Sequence, residues 1–162
     1  MTKNVSHSLT SEQALQRAAS LCSASEHCIY DIQEKLRRWG LNKDEAEKII
    51  ASLIDGNYID EARYARAYAN DKLRFSHWGK IKIRAMLQMQ HISDTDISMA
   101  LDTLCQQEYT DILREVIRTK CSSLGIDDSI TYEDKGKIIR FALQRGFEMN
   151  EILRLIDYPT QE

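Results

Sequence analysis

An all-α protein, built as a tandem array of three three-helix repeats of the helix-turn-helix kind, is what this sequence predicts. Three observations lead there. Helix breakers are scarce: the 162 residues include one proline and six glycines. Apolar residues recur at i, i+3, i+4 and i+7 along most of the chain, the spacing of one helix face. A single pattern of helix, break, helix, short turn, helix then occurs three times. Its turns align at Gly40-Leu41, His91-Ile92 and Gly146-Phe147, which are 51 and 55 residues apart. Each unit, on the order of 50 residues, is small for independent folding, so neighbours must share surface. The expected shape is elongated and curved, with mainly adjacent units in contact.

The first unit is expected over 10–57, after a disordered lead at 1–9. Thr10 with Gln13 reads as a capping box, and Ala14, Leu15, Ala18, Leu21 and Cys22 share one face of the helix that follows. After the break at Ser23-Ala24-Ser25, a helix over 28–39 buries Ile29, Ile32 and Leu36. Cys28 stands where a serine cap would be common, and sulfur is a poorer acceptor. Gly40 supplies a left-handed end. Asn42 to Glu45 caps a third helix that buries Ala46, Ile49, Ile50 and Leu53.

The second unit is expected over 58–107 and repeats the plan. Asp60 caps a helix over 61–75, Ser76 to Gly79 breaks it, and a helix over 80–90 buries Ile83, Met86 and Leu87. His91 occupies the turn position held elsewhere by glycine, a left-handed conformation reached at moderate cost. Ser93 then caps a helix with Ile97, Ala100, Leu101 and Leu104 inside. The third unit is expected over 108–158, before a tail at 159–162. Its helices are a first over 110–123, a second capped by Thr131 after a loop containing Asp127 and Asp128, and a third carrying Ile152, Leu153 and Ile156.

Catalytic and cofactor chemistry finds no foothold in the pattern. The glycines are isolated, so no phosphate-cradling loop is present. Neither His7, His27, His77 and His91 nor the four cysteines show metal-ligand spacing. Cys22, Cys28, Cys105 and Cys121 read as free thiols in or near the core. Neither a membrane span nor a signal-peptide core is legible. The expectation is a cytoplasmic, monomeric protein that is not an enzyme and holds no cofactor or metal.

Charge is where function shows. The net charge is −3, but residues 58–92 carry 7 basic and 3 acidic groups, whereas 93–162 carry 8 and 14. Between Lys72 and Arg84 there are five cations and no acid. A basic band between acidic flanks is a steering field for a polyanion. At 100° per residue, Arg63, Arg66, Asn70 and Arg74 share one helix face and are expected to point outward. Tyr64, Ala65, Tyr68, Ala69 and Leu73 form the opposing buried stripe. The candidate contact residues are Arg63, Arg66, Lys72, Arg74, Lys80, Lys82 and Arg84, with Trp78 as an aromatic among cations able to stack on a base or a side chain.

The same stretch carries a family likeness. Gly56, Tyr58, Ile59, Asp60, Glu61, Arg63, Tyr64, Ala65, Arg66 and Ala67, followed by Gly79, Ile83, Arg84 and Leu87, stand in an order that resembles the RecX family of bacterial RecA regulators. The likeness is strongest over roughly residues 27–104. It implies tandem three-helix repeats and a non-enzymatic regulator that lodges on the RecA–DNA filament. Such a protein limits recombination and co-protease activity in DNA repair and the SOS response. Single-stranded or duplex DNA is implied as a weaker partner. The alternative is a helix-turn-helix protein binding duplex DNA directly through the third helix. That helix opens with Asp44, Glu45 and Glu47, which would face phosphates unfavourably.

Overall fold

The computed structural model describes residues 9–126 and 129–157. Their regular structure is helical throughout: α1 Ser11–Ala24, α2 Ile29–Arg38, α3 Lys43–Asp55, α4 Glu61–Ser76, α5 Lys80–Met89, α6 Asp94–Asp102, α7 Gln106–Ser123, α8 Tyr132–Gln144 and α9 Met149–Asp157. They fall into three successive three-helix units. Residues 1–8, Asp127, Asp128 and the tail from 158 lie outside the described residues. Leu9, placed by the sequence in the lead, packs against the core of the first unit.

Local chemistry sets the helix ends. Thr10 and Asn42 form complete capping boxes with Gln13 and Glu45. Asp60, Ser93 and Thr131 each accept from the third backbone N–H of their helices. The three aligned turns close in the same way. Gly40, His91 and Gly146 have φ of 87°, 60° and 90°. The next residue in each case donates five residues back: Leu41 to Leu36, Ile92 to Leu87 and Phe147 to Ala142. This is the Schellman arrangement, and the donors Leu41, Ile92 and Phe147 are all buried.

α7 starts at Gln106, four positions before the expected start at Thr110. The extra turn carries Tyr109 fully into the core, where it meets Phe147 with ring centroids 5.2 Å apart. The periodicity of the aliphatic residues alone does not register that anchor.

Two cores support the three units. The first unit has its own, built on Ala18, Ile32, Leu36, Ile49 and Leu53. The second and third share one, in which Leu73, Ile83, Leu87 and Ile97 meet Tyr109, Leu113, Ala142 and Phe147. Cys28 of the first unit reaches into this shared core, and Ile59 reaches back into the first. Burial pushes the Cys28 thiol up to about 12, so it stays protonated and apolar. Cys22 is buried as well, Cys121 is half-buried, and Cys105, against expectation, is exposed at the start of α7.

The middle helices show how one unit completes another. α2 and α5 begin at Cys28 and Gly79 with no side-chain cap. Their first amides are satisfied by the unit that follows in sequence. Ile29 N–H donates to Glu61 at 3.1 Å. Gly79 N–H donates to Arg145 O at 2.8 Å, Ile81 N–H to Gly146 O at 3.0 Å, and Lys80 N–H to the Tyr109 hydroxyl at 3.0 Å. α8, the last middle helix, caps itself through Thr131. The array therefore has a direction, with the first two middle helices each finished by the unit on their C-terminal side.

Glu61 supports a first prediction. Burial raises its carboxyl pKa above 4.5, partly offset by the Ile29 N–H. A pKa raised on folding favours the fold below the unfolded pKa, and that contribution is lost as pH rises through the folded one. The ionised carboxylate is thus a cost at neutral pH. Glu61→Gln keeps the acceptor and removes the charge. It is expected to equal or exceed wild type in neutral thermal melts, with the gap closing on acidification. Glu61→Ala is expected to lose about 1 kcal/mol, as cap removals do. A pH-independent gap for the glutamine variant would exclude this role.

Candidate polyanion-binding site

The seven cations of the basic band do not form one ridge. The two end arginines of α4 each pair with a carboxylate from a flanking unit, and Arg74 remains exposed as it does so. Arg63 Nε meets Glu26 Oε1 at 2.5 Å, and its Nη atoms reach Asn57 Oδ1, Asn57 O and Tyr58 O at 3.2–3.4 Å. Arg63 thereby holds the linker between α1 and α2 to the turn entering the second unit. At the other end, Arg74 makes a paired contact with Glu108 of α7, at 2.7 and 3.1 Å. The bond to Arg74 holds the Glu108 carboxyl below its usual range. These two arginines are inter-unit fasteners rather than free contact residues. The spacing placed them correctly on one helix face, but their partners lie 37 and 34 residues away in sequence.

Lys72 is nine positions beyond Arg63, which is two and a half helical turns and so the opposite side of α4. There it joins Trp78 and Lys82. The Lys72 ammonium sits 4.8 Å from the Trp78 ring centroid and that of Lys82 4.4 Å. The two ammoniums are therefore no more than 9.2 Å apart, about one Debye length at physiological salt. Among the described residues, neither is in an ion pair. Lys72 also approaches the Tyr68 ring, at 5.3 Å. A half-buried indole is thus flanked by two ammoniums, neither of them ion-paired among the described residues, an arrangement that concentrates positive charge at an aromatic face.

The other cations lie around this centre. Lys80 rests over the Tyr109 ring at 5.0 Å. Arg84 donates to the Ser98 hydroxyl at 3.2 Å. Arg66 is exposed on the arginine face of α4, its backbone carbonyl accepting from Asn70. Trp39, by contrast, packs against the first core with Arg17 at 4.5 Å over its ring. Tyr64, Ala65, Ala69 and Leu73 are buried, as the periodicity requires, with Tyr68 packed at the edge. Among the described residues no three His, Cys, Asp or Glu side chains gather as metal ligands would, and no helix is long and apolar enough to cross a membrane.

Sequence reasoning missed the third unit's share of this surface. Arg145 Nη1 donates to Ser76 O at 2.9 Å, beside Trp78, although it comes from a unit with net negative charge. No local pattern flags it, since its partner is 69 residues away.

Fold and site together define a class: tandem three-helix-repeat proteins with a cationic, aromatic-bearing middle module. Comparison with known proteins shows what the chain resembles. A family model described as "RecX, second three-helix domain" matches residues 60–101, the unit that carries most of the cluster. "Regulatory protein RecX" of Vibrio campbellii is 25% identical over 154 residues, covering 95% of this chain and 94% of the relative. The protein of the same name from Xanthomonas axonopodis pv. citri is 29% identical over 138 residues, covering 85% and 82%. The crystal structure of RecX from Lactobacillus salivarius superposes with a TM-score of 0.78 at 22% identity, over 91% of this chain and 94% of that one. Over residues 60–101 the chain matches the second three-helix domain of RecX, and over most of its length it is similar to RecX regulatory proteins.

Proposed function

We propose that this protein is a non-catalytic cytoplasmic regulator that binds the RecA filament on DNA and restrains its recombinase and co-protease activities. Similarity over most of the chain to curated proteins named regulatory proteins supports the regulatory part. The observation that carries the contact is the pair Lys72 and Lys82 held over Trp78, neither of them in an ion pair among the described residues. Lys80, Arg84 and Arg66 widen the cationic surface, while Arg63 and Arg74 keep the units in register. A row of units linked in one direction allows several weak contacts along a filament, which sum through effective concentration.

The test is a titration into RecA filaments on single-stranded DNA, into the bare strand and into bare duplex, at low and physiological salt. Filaments are expected to bind much more tightly than either bare DNA. Lys72→Gln with Lys82→Gln is expected to weaken filament binding at least about tenfold, with helicity and melting unchanged. Preference for bare duplex would favour direct helix-turn-helix binding instead, and indifference to all three would remove the regulator reading.

A further inference from the structure

The junction of the first and second units leaves a cleft of about 490 Å³. One wall is a stripe of α4, where Tyr64, Ala67, Tyr68, Asp71 and Phe75 recur at the spacing of a single helix face. The other wall is the linker from α1 to α2, with Glu26, and the first turn of α2, with Asp31. Phe75 closes the α4 stripe and is 81% exposed. Ala67 contributes only a methyl group, so room is left beside the rings. Among the described residues neither Asp31 nor Asp71 is in an ion pair. Glu26, held by Arg63 through Oε1, keeps a buried Oε2 with no hydrogen-bond partner. Lys72 also lines the cleft, but its ammonium is engaged over the Tyr68 and Trp78 rings. The walls come from two units, so the cleft exists only when they are docked.

We propose that this cleft receives an arginine side chain from a partner protein. A guanidinium is planar, stacks on an aromatic face and forks onto carboxylate oxygens, so it matches both the rings and the acids. A phosphate would be repelled by the same acids. An apolar side chain would cover Phe75 but would leave Asp31 and Asp71 to lose water without a counter-charge. Those two carboxylates stand on opposite walls, so the incoming guanidinium would bridge the first unit to the second, as Arg63 does through Glu26. The inference goes beyond the filament reading. It concerns positive charge on a protein, and it stands whether or not filaments are bound.

The probe is the blocked peptide acetyl-Gly-Arg-Gly-amide, titrated into the full isotope-labelled chain and followed by amide chemical shifts. Matched peptides carry citrulline, which keeps the shape and loses the charge, or lysine, which keeps the charge and loses the plane. The arginine peptide is expected to give saturable shifts centred on the α1–α2 linker and the α4 stripe. The lysine peptide is expected to bind severalfold more weakly, and the citrulline peptide not to bind. Asp71→Asn and Phe75→Leu, both at exposed positions, are each expected to weaken arginine binding about threefold and together about tenfold, with melting unchanged. If Phe75→Leu disturbs melting, Asp71→Asn alone decides. Shifts centred outside the cleft would overturn the proposal. So would equal binding of the lysine or citrulline peptide, which would mean a merely acidic or merely sticky surface. A double variant that binds the arginine peptide like wild type would overturn it as well.

Discussion

Gly146→Ala is expected to melt far below wild type, by on the order of 3–5 kcal/mol, which for a chain of this size is roughly ten degrees or more. The glycine has a φ of 90°, and its added Cβ would lie 2.3 Å from Lys82 Cβ and 2.5 Å from Lys82 N. A clash with a flexible side-chain tip is relieved by rotation, but a clash with backbone nitrogen is not. The turn between α8 and α9 must back away from α5. That movement breaks the bonds from Gly79 N–H and Ile81 N–H, at 2.8 and 3.0 Å, which finish the start of α5. Gly79→Ala meets the same obstacle from the other side, with its Cβ 2.3 Å from Gly146 O. Circular dichroism melts measure the loss. Hydrogen exchange should locate it, with early α5 amides exposed while the first unit, which has its own core, stays protected. A melting point within a degree or two of wild type would mean that the two turns are not docked as described.

Tyr109→Phe is the second large effect expected, a loss of about 2–4 kcal/mol. The tyrosine is 1% exposed, and its hydroxyl accepts from Lys80 N–H at 3.0 Å while donating to Glu148 Oε2 at 2.5 Å. Burial raises the phenol pKa, so the hydroxyl remains a donor at any ordinary pH. Phenylalanine preserves the ring contact with Phe147 and removes only the polar link. An amide at the start of α5 and a carboxylate of the third unit are then left without a shared partner, and it is these unmade bonds that cost. Thermal melts of Tyr109→Phe and Tyr109→Leu separate the two contributions. If the phenylalanine variant equals wild type and only leucine destabilises, the hydroxyl bridge contributes nothing and the ring alone matters.

These positions show what can be read from a sequence and what cannot. The left-handed turns were legible at Gly40, His91 and Gly146 because each closes within five residues. The caps at Thr10, Asn42, Asp60, Ser93 and Thr131 were legible for the same reason. The face shared by Arg63, Arg66 and Arg74 was legible too, and Arg66 and Arg74 are exposed on it, but the carboxylates that Arg63 and Arg74 meet there were not. A helical wheel gives the angle between two side chains and says nothing about what stands opposite them. The basic band also seemed continuous because charge was counted along the chain, while α4 sends Lys72 and Arg63 to opposite sides. Of the proposed polyanion surface, Lys72, Trp78 and Lys82 were legible as cations around an aromatic. Arg145 was hidden by the acidic composition of its unit.

By itself the sequence determined that this chain is helical, where its helices begin and turn, and that one plan occurs three times. All of that is written in interactions between residues a few positions apart. Only the tertiary structure decided that the second and third units share a core, that α2 and α5 take their caps from the next unit, and which cations remain without an internal partner. The physical reason is separation: Glu26 with Arg63, Glu61 with Ile29 and Arg145 with Ser76 are 37, 32 and 69 residues apart, and such pairs meet only after the helices have packed.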